Sequence, residues 1–391
     1  MAENHGVLGA VNDDVPGHQT TQSVPQLNHA VVSPIQTDGL DDKAQLQQRS
    51  VDRADAQHEQ DDSTIRTSTN SSTGLSVDTD DSDAESALGD MSLASSSVSA
   101  TSSVFKFVEK YGRTFHSYKE GKYYLPNDEQ ERNRLDLQHE LASRLLDRKL
   151  YLAPIVKPAR VLDIGTGTGI WAMEFAEAHP ESDVLGTDLS PIQPAYVPPN
   201  CRFEIDDCED DWVYTYKFDY IHGRYICPFL GNIPKLLASI YENLNPGGHV
   251  EIMETLMLMK AIDNSLDGHI LKTWNTMLIE GIRKIGKDPL AAVNLKQWMT
   301  EAGFVNVTEK NFSVPANPWA KGEEQKIRGM MMSNNLSEVA SGITTKIMTE
   351  VYGWSREKVE IFLTDVRAGL KDKSLHGYVP VLCVWGQKPL Q

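Results

Sequence analysis

The first 103 residues contain no phenylalanine, tyrosine, tryptophan or cysteine. They carry 17 Asp and Glu against 4 Lys and Arg, a net of −13 out of −18 for all 391 residues. Such a segment has too little apolar surface to offset the entropy of ordering it, so it is expected to be a disordered arm. Residues 104–391 are close to balanced, with 33 Lys and Arg against 38 Asp and Glu. With a net charge of −18 and a pI near 5.0, direct nucleic acid binding is not expected. Cysteine is scarce: Cys201, Cys208, Cys227 and Cys383 form no Cys-x-x-Cys pair and have no histidine at ligand spacing. No metal site is therefore expected, and free, packed thiols fit a reducing compartment. No apolar run reaches about 18 residues, and the N-terminus lacks the regions of a signal peptide. A soluble, intracellular protein without a membrane span is expected.

The arm is instead rich in acid and hydroxyl groups, most densely between Val77 and Glu85. That stretch reads as a solvating tail, or as an interaction arm phosphorylated at Thr79 and Ser82. Aromatics begin abruptly at Phe105 and include Tyr111, Phe115, Tyr118, Tyr123 and Tyr124. Tyr123 and Tyr124 are either a lid or packed aromatics. Asn127 suits a helix N-cap, and Leu135, Leu141, Leu145 and Leu146 give the following helix an apolar face.

The centre of the sequence is Asp163-x-Gly165-x-Gly167-x-Gly169. An apolar run, 160–164, ends in a turn, and a helical pattern starts at Ile170. The glycines permit a tight turn and close backbone approach to a ligand. The helix start aims free N–H groups at it. A dinucleotide loop would read G-x-G-x-x-G. Here the spacing differs and a carboxylate precedes the turn. That suits a ligand carrying an amino group, such as S-adenosylmethionine, better than a pyrophosphate.

Strand and helix patterns then alternate. Further strands are expected at 183–187, 202–205, 218–221, 249–255, 304–307 and 379–385. Asn245-Pro246-Gly247-Gly248 reads as a turn, and 262–302 as two helices. These add up to a doubly wound, seven-stranded, mostly parallel α/β sheet spanning 104–391. A long insertion, about 315–374, reads as a helical cap over the substrate side. Its Met330, Met331 and Met332 are either core packing or an adaptable surface.

Three acids end successive strands: Asp163, Asp188 and Asp207. Sheets of this kind bind ligands at the carboxyl ends of their strands. Asp188, 25 residues after Asp163, is placed to accept from ribose hydroxyls. Asp207 is placed to accept from an adenine amino group, with Cys208 beside the ring. Their joint alignment points to a nucleoside-type cofactor.

The glycine turn with Asp188 and Asp207 resembles the class I S-adenosylmethionine-dependent methyltransferases over about 155–256. A narrower resemblance, to the LaeA-like fungal methyltransferases, runs from residue 111 onward. It rests on Gly112-Arg113-Thr114-Phe115-His116, Tyr124-Leu125-Pro126-Asn127-Asp128-Glu129-Gln130-Glu131 and Gly169-Ile170-Trp171-Ala172. It also rests on Asp188-Leu189-Ser190-Pro191-Ile192-Gln193-Pro194, Ser265-Leu266-Asp267-Gly268 and Asn317-Pro318-Trp319. The resemblance implies a Rossmann-like fold and S-adenosylmethionine held by Asp163, Gly165, Thr166, Gly167, Gly169, Asp188, Leu189, Asp207, Cys208 and His222. It implies either a regulator of secondary metabolism and development, or a biosynthetic methyltransferase. For a regulator it implies velvet-family proteins or related methyltransferases as partners, and the nucleus or cytoplasm as location. A third reading is a non-catalytic protein that holds the cofactor structurally. Gly165-Thr166 stands where many relatives carry Gly-Cys.

Methyl transfer from a sulfonium needs positioning first, and a base only where the acceptor must lose a proton. The candidates at strand ends are His222 and Glu254. His222 equally suits lining the methionine moiety, and Glu254 a structural salt bridge. Arg224 suits holding a carboxylate, the cofactor's or a neighbour's.

Overall fold

The computed structural model describes residues 107–391. The expected disordered arm, with Thr79 and Ser82, lies outside these residues. A hairpin of β1 (Phe107–Lys110) and β2 (Arg113–His116) comes first, followed by α1 (Glu129–Leu145). The N-cap of α1 is Asp128, not Asn127: its carboxylate accepts from the Glu131 N–H at 3.0 Å and pairs with Arg113. Asn127 is buried one step earlier. Its amide joins Thr114 of β2 to Ser190.

The sheet contains β3 (Arg160–Ile164), β4 (Asp183–Asp188), β5 (Cys201–Ile205), β6 (Phe218–Arg224), β7 (Leu244–Thr255), β9 (Val305–Pro315) and β10 (Gly377–Gln387). A two-residue strand, β8 (Lys260–Ala261), pairs with the start of β10. The long strands lie in the order β5-β4-β3-β6-β7-β10-β9, and only β10 runs against the rest. This is the expected seven-stranded, mostly parallel sheet. Several strands run longer than expected. β6 continues through Arg224, β9 through Pro315, and β7 absorbs the expected turn at 245–248. In β6 and β9 the neighbouring strand supplies ladder partners for the extra residues, whereas 245–248 form a bulge in β7 in which Gly247 keeps φ 82°.

Both faces of the sheet are covered, so its strands read as continuous apolar runs rather than alternating ones. The pleat still sorts their side chains. Val161 turns to the face covered by α2 (Ile170–Ala178), against Trp171 and Phe175. Its neighbour Leu162 turns to the opposite face, against Leu236 and Ile240 of α3 (Ile233–Asn243). That face is completed by α5 (Leu295–Glu301) through Leu295 and Met299. A third core joins α1, α4 (Ile270–Lys284) and the helices between β9 and β10. Those helices are α6 (Glu323–Val339), a π-helical turn (Ala340–Thr344), α7 (Thr345–Glu350) and α8 (Arg356–Gly369). Met331 and Met332 are buried in this core, while Met330 is exposed.

The Asn317-Pro318-Trp319 motif anchors α6. The buried Asn317 amide donates to the carbonyls of Asp372 and Leu375, and the Trp319 indole donates to that of Gly377 at 2.6 Å. Gly329 lets α6 lie directly on this turn. A Cβ there would stand 2.2 Å from the Asn317 carbonyl oxygen. Backbone cannot yield as a side chain does, so Gly329→Ala is expected to cost roughly 1–3 kcal/mol by overpacking. Denaturant unfolding with an unchanged midpoint would contradict this account.

Candidate functional site

Strand order reverses between β3 and β6, and the ligand crevice of a doubly wound sheet opens there. A cavity of about 260 Å³ lies at that point. All three glycines of the turn have φ in the left-handed region: 65° at Gly165, 58° at Gly167 and 81° at Gly169. Only glycine adopts such values routinely. Gly165, Thr166 and Gly167 line the cavity. Gly169 does not; it is the N-cap of α2, and a Cβ there would meet the Phe203 ring at 2.3 Å.

Asp163 is buried and organises the turn. One carboxylate oxygen accepts from Thr166 Oγ1 at 2.6 Å, the other from His222 Nδ1 at 2.7 Å. Asp188 accepts from the N–H groups of Gly167 and Ser190, both at 2.9 Å, and so ties β4 to the turn. Its half-buried carboxyl faces the cavity, and burial pushes it up to about 6. Leu189 and Cys208 also line the wall, and burial pushes the Cys208 thiol up to about 12.

One expectation fails on geometry and another is met only in part. His222 does not line the cavity. Because β6 runs on to Arg224, His222 lies within the strand and stacks on Trp171, with centroids 3.6 Å apart at 8°. Burial, outweighing Asp163, pushes it down to about 4, so the neutral ring donates through Nδ1 to Asp163. It is a support for Asp163, with neither the access of a base nor a contact surface for a ligand. Asp207 lines the wall but its carboxylate is already engaged. Lys119 reaches it at 2.8 Å, Lys122 also pairs with it, and the Glu209 N–H donates to it at 3.0 Å. Burial pushes this carboxyl up, yet the two lysines prevail and hold it below the usual range. Asp206, half-buried in the same wall and raised by burial, accepts from the Asp207 N–H at 2.8 Å and has no lysine partner among the described residues.

Lys119 and Lys122 belong to a strap joining β2 to α1. Tyr123 lines the cavity from this strap and packs on Phe229, with centroids 4.5 Å apart. Tyr124 points elsewhere, under the Lys346 ammonium. On the far side Arg224 donates to His139 Nδ1 at 2.7 Å, and His139 Nε2 contacts Glu174 at 3.0 Å. Among the described residues no carboxylate lies within ion-pair distance of Arg224, although its side chain reaches the cavity. No salt bridge forms at Glu254 either. Its carboxylate accepts from the Cys227 and Thr255 N–H groups, at 2.8 and 2.9 Å.

The other half of the cavity was not visible in the sequence. Met257 and Met259 after β7, Leu278 of α4, Leu336 and Val339 of α6 and Ile343 of the π-turn make it largely apolar. Asn275 holds this wall in place, accepting from the Met259 N–H at 2.9 Å and donating to the Met257 carbonyl at 2.8 Å. Tyr225 and Arg134 also line it, the latter buried in a two-pronged pair with Glu131 and donating to Asn335 at 2.7 Å. These residues carry ordinary core patterning, and nothing in their spacing marks a site.

The chain matches a methyltransferase domain family over residues 137–309. Methyltransferase pytC of Aspergillus terreus is 38% identical over 299 residues, covering 75% of this chain and 92% of that protein. Protein-methionine methyltransferase laeA of Emericella nidulans is 33% identical over 294 residues, covering 73% and 78%. The chain belongs to the LaeA-like S-adenosylmethionine-dependent methyltransferases. Probable methyltransferase tdiE of Emericella nidulans, 33% identical over 261 residues, covers 66% of this methyltransferase and is itself covered to 82%. A looser likeness in shape, to phosphoethanolamine methyltransferase 2 of Haemonchus contortus, has a TM-score of 0.35 at 18% identity over 66% and 52% of the chains.

The cofactor of this methyltransferase is S-adenosylmethionine, and the cavity has the donor set that molecule requires. The Asp188 carboxylate faces inward for a ribose diol, and the glycine turn lets backbone approach closely. Arg224 is a cation without a carboxylate partner. When bound, the cofactor supplies an electrophilic methyl group.

Two predictions follow from the electrostatics of the sheet and strap. Glu251, fully buried on β7, accepts from the Leu152 and Ala153 N–H groups, and burial pushes it up to about 7. A raised carboxyl contributes stability that is full below its unfolded value near 4.5 and is lost as pH rises through about 7. Glu251→Gln is therefore expected to gain thermal stability relative to wild type at pH 8 but not at pH 5. Equal differences at both pH values would show that this carboxyl is not raised. The strap ion pairs are partly exposed, worth up to about 1 kcal/mol each. Lys119→Ala with Lys122→Ala is expected to weaken S-adenosylhomocysteine binding by up to about tenfold in calorimetry. Wild-type affinity should fall with added salt more steeply than the double variant's.

Proposed function

We propose that this methyltransferase acts on a small, largely apolar metabolite rather than on a protein side chain. One observation carries the reading. The cavity continues past the cofactor-facing acids into a half walled by Met257, Met259, Leu278, Leu336, Val339 and Ile343. Three of these come from the segment between β9 and β10, which roofs the acceptor side. A concave, largely apolar wall with a few polar groups is the usual construction of a small-molecule site. A protein methionine would need an open groove for the flanking chain. The two methionines in the wall suit an acceptor of irregular shape, because thioether side chains adapt to what they contact.

In this reading Asp163 and Asp188 set the turn and the ribose, Asp206 takes the adenine edge, and Arg224 takes the methionine carboxylate. The similarity to methyltransferase pytC extends over 92% of that protein, which carries no regulatory designation and so is compatible with this reading. The similarity to laeA supports the second reading, a regulator of secondary metabolism that methylates methionine in proteins, with velvet-family proteins as associates.

The test supplies the full-length protein with methyl-labelled S-adenosylmethionine and two acceptor pools from Aspergillus mycelium. One pool is a lipophilic metabolite extract, the other total soluble protein. Label entering the extract supports the proposal. Label confined to protein would overturn it in favour of the regulator. Asp163→Asn is expected to abolish transfer in either case, by at least a hundredfold, because the turn loses its acceptor from His222 or Thr166.

A further inference from the structure

Glu254, the last residue but one of β7, lines the cavity together with Thr255 and the apolar residues that follow the strand. The turn after β6 is shaped to hold it. Tyr225 has φ 58°, a left-handed conformation that a bulky side chain rarely adopts. Its N–H donates to the Met253 carbonyl at 2.9 Å, fixing the turn against β7. The chain then reverses so that the Cys227 N–H meets the Glu254 carboxylate at 2.8 Å. Backbone strain kept at a cavity wall marks a position where geometry matters to function.

The donors at Glu254, the N–H groups of Ile226, Cys227 and Thr255 and the Cys227 thiol, are uncharged. The turn after β6 also brings the Tyr225 phenol near it, and the strap the Tyr123 phenol. Burial raises the Cys227 thiol and both phenols, Tyr225 to about 12, so none carries charge near neutrality. Arg134, behind the two tyrosines, is occupied by Glu131. Glu251 has similarly uncharged donors but lies away from the cavity, whereas Glu254 lines it; here the donors orient the group without neutralising it.

We propose that Glu254 is the catalytic base of the transfer, and that the acceptor atom is the oxygen of a phenol or enol. The inference rests on the small-molecule reading of the same cavity. An amine attacks with its own lone pair and needs no base beforehand. A hydroxyl gains most from one. As the acceptor oxygen bonds to the methyl carbon, its O–H bond breaks and the proton passes to the Glu254 carboxylate. The donor sulfur leaves with the electron pair of the broken C–S bond. The product is a methyl ether, and the Glu254 carboxylic acid returns its proton to solvent. Burial pushes this carboxyl up to about 7, so the basic form grows in as pH rises through neutrality.

The test compares wild type, Glu254→Gln and Glu254→Asp, each full-length. Calorimetry with S-adenosylhomocysteine first establishes that all three bind the cofactor product alike. Infrared difference spectra of wild type against Glu254→Gln then follow the carboxylic acid band. The band is expected to disappear as pH rises through about 7; titration near 4.5 would overturn the proposal. With labelled donor and the lipophilic extract, Glu254→Gln should lose at least a hundredfold in rate. Glu254→Asp should retain part of it, and the wild-type rate should climb to a plateau above neutral pH. Chemical cleavage of methyl ethers should release the label. Full transfer by Glu254→Gln, or label resistant to ether cleavage, would remove the base while leaving the small-molecule reading intact. No label in the extract with wild type would remove both.

Discussion

The pair of hydrogen bonds made by the buried Asp163 carboxylate is the constraint on which the site depends. One fixes Thr166, and with it a turn whose three glycines all have φ above 50°. The other fixes His222 on the neighbouring strand, which in turn lies flat on the first residue pair of α2 through Trp171. A single carboxylate therefore joins β3, β6, the turn and α2. Buried polar groups need such partners, and here each oxygen has one. The donors exist only if the strands pair in register, so correct folding of the sheet and correct shape of the crevice are one event.

The turn was legible from the sequence because its chemistry is local. Glycines at alternate positions after an apolar run and an acid have few other uses, and the acids ending the next two strands share one edge by topology alone. The sheet was legible for the same reason. Its apolar runs are continuous because helices cover both faces, and the structure returns all seven strands. What misled was the length of β6. With the strand ended at Ile221, His222 looked like a loop residue facing the ligand; with it ended at Arg224, His222 is interior. Asp207 misled differently. Its two lysines are 85 and 88 residues away in the chain, and nothing local announces them.

The acceptor half was illegible for a deeper reason. Its walls are apolar residues from α4, α6, the π-turn and the exit of β7. Each looks like ordinary core in its own element, and the sequence has no way to mark a core residue whose neighbour is a cavity. Strain is a better signal. Tyr225 and the π-turn at Ala340–Thr344 both depart from regular backbone, and both border the cavity. Neither departure has a residue signature of its own kind, since Tyr225 is not a glycine and Gly342 sits inside a run read as helix.

The placement of β10 bears on how such a chain comes to be folded at all. It follows every other strand in the chain, yet it lies between β7 and β9 and runs against both. During synthesis β3 to β7 emerge in an order that lets neighbours pair as they appear. The right side of the sheet has no such luxury. Until residues 377–387 leave the ribosome, β7 and β9 each present an open ladder, twelve and eleven residues long. Open edges of that length recruit other strands. Completing this side of the sheet requires pairing on two edges rather than one, and contacts of such long range form slowly. β9 carries charged residues, Glu309 and Lys310 among them, along its edge, a feature that discourages edge-to-edge pairing.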